Sequence, residues 1–172
     1  MLHKSLSFLI FFAAIPAFAD GLPSLPQKWA NLHYGACYRS IELGMAAVYG
    51  PAYATDDNVL STTVKYVTGE MLLTQDQTTG TNSPRTIFEK RNRNRWCVVL
   101  TSPPVASIKA VPSPGRSARP AQWVTLTQAA PGFSETKVVY SWSRANVLYL
   151  PSKCYRVTRT KTTEFDCKDA YN

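Results

Sequence analysis

Histidine is nearly missing from this chain. Its 172 residues include two, His3 and His33, and His3 falls in a leading segment that reads as removable. Mechanisms that need paired histidines, and the HExxH arrangement of zinc proteases, are thereby excluded. No serine sits in a GxSxG elbow, and the 8 glycines are scattered through turns rather than gathered in a phosphate-cradling or dinucleotide-binding loop. The cysteines lack the spacing of about two to four residues typical of zinc sites. Carboxylates cluster only at Asp56 with Asp57 and at Glu164, Asp166 and Asp169, without the loop pattern of a calcium hand. No metal or cofactor is expected from these residues.

Long apolar runs are equally scarce. The one candidate is Met1–Ala19, where Lys4 precedes an apolar core from Leu6 to Ile15 and Ala17, Phe18, Ala19 supply a small-x-small cleavage site. This is the pattern of a secretory signal peptide, and it falls short of the ~20 apolar residues that span a bilayer. Residues 20–172 are therefore expected to be a single exported domain, periplasmic or extracellular, that does not span a membrane. Without Lys4, 18 basic residues face 11 acidic ones, a net charge of +7.

What the chain does have is a framework for disulfides. Cys37, Cys97, Cys154 and Cys167 all lie in the exported part, and an even number of cysteines in an oxidising compartment argues for pairing. Three connectivities are possible. Cys37 with Cys97 and Cys154 with Cys167 is preferred, since the last two stand close together on an apparent strand and its return. In the chain-entropy picture the longer loop contributes roughly 4 kcal/mol and the shorter one about 3.

One stretch has helical periodicity. Tyr34, Cys37, Tyr38, Ile41, Met45 and Val48 recur every three or four residues, and Gly50 and Pro51 stop the pattern. This predicts a helix from about Gly35 to Tyr49 with Cys37 near its first turn. From Asn58 onward the period becomes two, rich in β-branched residues, and breaks at Gly, Pro and Asn clusters into seven or eight short strands. The fold expected is α+β, an N-terminal helix packed on a mainly antiparallel sheet held by two disulfides. The alternative is an all-β sandwich in which the helical stripe is an apolar strand.

The centre of the pattern is a hairpin. Thr86 to Lys90 rises, Asn92 to Asn94 forms the tip, and Arg95 to Thr101 returns as a strand apolar on both faces. Charge concentrates there: residues 20–84 carry a net −3, residues 85–161 a net +12 and residues 162–172 a net −2. A proline-rich basic loop follows at 112–120. A concentrated positive field favours encounter with an acidic partner. An acidic protein or an anionic envelope polymer is the partner expected, and an exported chain has little access to nucleic acid.

These readings predict a non-enzymatic binding protein, of inhibitor or immunity type, that docks through Lys90, Arg91, Arg93, Arg95 and Trp96. The arginines would steer and pair while Trp96 anchors. A second class would be a small basic secreted ribonuclease or phosphodiesterase, with His33 as acid and Glu42 or Glu89 as base. A third would be an envelope or appendage component that assembles through exposed strands.

Overall fold

Period-two alternation from residue 59 onward dictates strands that each have two distinct faces, and the chain uses both faces of the central ones. A computed structural model describes residues 33–51, 53, 59–67, 69–77, 80–113, 119–130 and 133–171. The expected signal peptide at Met1–Ala19 and the lead up to residue 32 lie outside the described residues.

Among the described residues two five-stranded antiparallel sheets and one α-helix form an α+β fold. The first sheet has the order β1-β5-β4-β3-β2, built from β1 (Cys37–Tyr38), β2 (Val59–Tyr66), β3 (Gly69–Asp76), β4 (Arg85–Arg91) and β5 (Arg95–Thr101). The second runs β10-β9-β8-β7-β6, from β6 (Ser107–Val111), β7 (Gln122–Leu126), β8 (Glu135–Ser143), β9 (Leu148–Val157) and β10 (Thr162–Phe165). Met71, Ile87, Val99 and Leu100 of the first sheet share a core with Trp123, Val138, Tyr140, Tyr149 and Cys154 of the second. On the opposite face of the first sheet, Met45 of the helix packs with Phe88 and Val98, flanked by Ile41, Val48, Leu72 and Trp96. The first sheet is therefore the middle layer, which is why Cys97 to Thr101 is buried at every position.

The helix, α1 (Ile41–Tyr49), is shorter than its periodicity predicts. Ser40 has extended backbone and its Oγ accepts from the Leu43 amide at 3.3 Å, so the helix begins behind that cap. Cys37 and Tyr38 instead form β1, opposite Cys97 and Trp96. Two cysteines directly opposite on neighbouring strands are placed to bond, and this competing constraint holds residue 37 extended. Gly44 faces the sheet. A methyl group there would come within 3.0 Å of Phe88 and 3.1 Å of Tyr38, so only a missing side chain lets the helix approach this closely.

Both preferred disulfides are present. Cys37 and Cys97 lie 60 residues apart in sequence, Cys154 and Cys167 13 apart. Two irregularities adjust the sheets. Ile87 faces Leu100 and Phe88 faces Val98, leaving Val99 as the extra residue of a bulge. A second register shift between Val139 and Tyr140 lies where Pro151 enters β9, a position that tolerates a missing amide. Leu148 to Val157 consequently runs on through the proline as a single strand, β9, with β10 as its return.

Candidate functional site

Strand alternation sorts the five predicted binding residues onto different surfaces. Glu89, Arg91 and Arg95 point toward the crevice between the sheets, whereas Lys90 and Trp96 point toward the helix side. Lys90 pairs with Glu70 at 3.1 Å, and its ammonium lies 5.6 Å from the centroid of the Trp96 ring. Trp96 is half-buried against the helix-side core, so it buttresses the hairpin more than it projects from it. Arg91 and Arg95 are brought together as direct cross-strand partners at the hairpin's end. Arg93 stands apart at the tip.

The tip is a short 3-10 turn, Asn92–Asn94, in which Arg93 (φ 62°) and Asn94 (φ 60°) both take left-handed backbone. Asparagine accepts that conformation readily. An arginine there carries steric strain of roughly 1 kcal/mol. Arg93 is exposed, and its side chain has no ion-pair partner among the described residues.

Behind the tip lies a crevice of about 480 Å³, with the Cys37–Cys97 disulfide, Tyr66, Glu89, Arg91, Arg95, Arg119 and Val147 in its lining. Its centre is Glu89, whose side chain is only 1% exposed. Its Oε1 accepts from the Tyr66 hydroxyl at 3.0 Å and from Arg119 Nε at 2.9 Å, and its Oε2 accepts from Arg91 Nε at 2.8 Å. A buried carboxylate of this kind requires paired donors, and it has three. Each donor is held in turn. A Cβ at residue 69 would meet the Tyr66 hydroxyl at 2.7 Å, so Gly69 is what gives the phenol its seat. Arg119 stacks over Trp142 with 4.0 Å to the ring centroid, and the carbonyl of the adjoining Pro120 accepts from Tyr149 at 2.8 Å. Arg91 Nη2 donates to the carbonyl of Val147 at 2.6 Å. Val147 is itself a β-branched residue at φ 57°, and that backbone aims its carbonyl at the guanidinium. Burial, followed by the nearby charge of Glu89, pushes the Tyr66 phenol up to about 12.

Sequence reasoning missed Arg119 and Tyr66. The loop at 112–120 reads as solvated from its composition; residues 114–118 lie outside the described residues, but Arg119 is tied down. A signal existed in Glu89, an acid that follows Ile87 and Phe88 and shares the strand face of Ile87. Such a residue has to find cations, and Arg119 is one of them.

The other candidate acid–base groups lie elsewhere. His33 does not line this crevice, and its Nδ1 lies 2.8 Å from the Tyr38 hydroxyl. Glu42 is exposed in the first turn of α1, where a hydrogen bond involving Ser40 lowers its pKa. Among the described residues no helix is long and apolar enough to cross a membrane, and no group of three metal-ligating side chains gathers. No protein-family model, no curated protein and no solved structure matches the chain.

Proposed function

We propose that this chain is an exported, disulfide-stabilised binding protein, of inhibitor or immunity type, that docks an acidic protein through the end of its β4–β5 hairpin. The observation that carries the reading is Arg93, an exposed guanidinium without an ion-pair partner among the described residues, displayed at a tip whose backbone is strained to hold it. Strained backbone clusters at ligand clamps and other functional sites, and here the tight tip imposes it on an arginine. Arg95 adds a second exposed cation, while Arg91 and Lys90 are tied to Glu89 and Glu70 and stiffen the hairpin beneath them. Two disulfides fit an oxidising destination.

The test is capture of partners from the exported fraction by the mature chain, beside a variant carrying Arg93→Glu and Arg95→Glu. Arg91 is left intact because reversing it would unpair a buried carboxylate. The expected result is an acidic protein retained by the parent at low salt and absent with the variant, with the thermal midpoint of the variant unchanged or slightly raised. Equal capture by both chains would overturn the assignment.

A further inference from the structure

Resting on that reading and refining it, we propose that Arg91 and Arg95 form a receptor for one carboxylate, so that the partner docks by inserting a Glu or Asp side chain into the crevice between the two sheets. Like charges directly opposite on antiparallel strands repel, yet Arg91 and Arg95 are register partners and both line the crevice. Three cations, Arg91, Arg95 and Arg119, face a single acid there, Glu89, while Lys90 at the rim is turned to the other face and paired with Glu70. Glu89 offsets one of the three charges, which leaves the crevice with two positive charges in excess.

The donors are available for this. Arg91 directs Nε to Glu89 and Nη2 to the Val147 carbonyl, which leaves Nη1 uncommitted, and Arg95 uses only Nη2, on the carbonyl of Cys37. Guanidinium forks match the two oxygens of a carboxylate, and a charged pair of this kind gains both strength and direction. Tyr66 and the Cys37–Cys97 bridge form the walls beside the arginine pair. An entering carboxylate would offset the repulsion within the arginine pair and engage the site as Glu89 engages its own partners.

The probe is the peptide acetyl-Glu-Glu-Glu-Glu-amide, with acetyl-Gln-Gln-Gln-Gln-amide as its neutral counterpart. Binding is followed through the arginine side-chain resonances of the whole exported chain. The glutamate peptide is expected to saturate and to move the signals of Arg91 and Arg95. Arg95→Gln, an exposed change that leaves Glu89 and its partners in place, should weaken it about ten-fold or more. Arg93→Gln, beyond the crevice, should change it less than about two-fold. Absence of saturation, equal binding of the glutamine peptide, or a loss with Arg93→Gln as large as with Arg95→Gln would overturn the proposal. Those results leave capture of a protein by the hairpin tip to be judged by its own assay, so the crevice can fail while docking stands.

Discussion

Changing Glu89 to Gln preserves the shape of the side chain and removes its charge. The amide must then present an NH2 group to a set of neighbours that all donate: Arg119 and Tyr66 at Oε1, Arg91 at Oε2. Breaking a buried ion pair by removing one partner costs roughly 3–5 kcal/mol when the remaining charge stays buried. Here the side chains of Arg91 and Arg119 are 27% and 32% exposed and can recover some hydration, which reduces the figure. We expect a loss of about 2–4 kcal/mol, or a fall in midpoint of roughly 5–15 °C for a domain of this size. Urea unfolding of Glu89→Gln, Arg119→Gln and the double variant measures it. The second change should cost less once the first is made, with a coupling of about 1–3 kcal/mol. Because the variant gains one net positive charge at the base of the hairpin, its encounter with an acidic partner below the melting range should be preserved. A Glu89→Gln chain within about 0.5 kcal/mol of the parent, or additive losses in the double variant, would refute the view that this carboxylate ties the sheets together.

The same cluster sets a response to alkali. Tyr66 is neutral in the fold with its pKa raised to about 12 by burial and by Glu89, while the unfolded phenol titrates near 10. Stability from this group is therefore complete below about pH 10 and is lost as pH rises toward 12, since the unfolded state releases the proton first. Tyr34, Tyr49 and Tyr149 are shifted in the same direction by burial and deepen the fall. Tyrosinate absorbance should appear together with unfolding, and Tyr66→Phe should lessen the alkaline loss; titration of all tyrosines in a chain that remains folded would contradict this. At the helix, Gly44→Ala should destabilise despite the better helix propensity of alanine, because the methyl group meets Phe88 and Tyr38 at 3.0–3.1 Å. A loss of about 1–3 kcal/mol by urea unfolding is expected, and a gain would show that the helix can retreat from the sheet.

The exchange of a three-to-four residue period for a period of two was enough to give the fold class, and the tip at Asn92–Asn94 with the returning strand Arg95–Thr101 stands where the residues place it. Both disulfides match the pairing preferred among the three that four cysteines allow. The start of the helix was not legible, because Tyr34, Cys37 and Tyr38 keep a helical spacing by coincidence. Cys37 is held extended by its bridge, and Ser40, a plain capping residue, marks the true beginning. A strand apolar on both faces needs cover on both sides, and the helix expected on the sheet supplies one of them; that the strands divide into two sheets, the second covering the other face, was not read from the sequence. The crevice was the least legible part. Its members come from β1, β2, β4, β5, the loop before Pro120 and the turn before β9, and only long-range packing brings Arg119 to Glu89.

The central claim is that a cationic hairpin end draws in an acidic partner, and the rate of association with the captured protein, followed over a range of salt concentrations, tests it most directly. The account predicts a rate that falls steeply as ionic strength rises, and a much shallower slope when Arg93 and Arg95 are both neutralised to Gln. A rate indifferent to salt, or an identical slope in the neutralised chain, would contradict it.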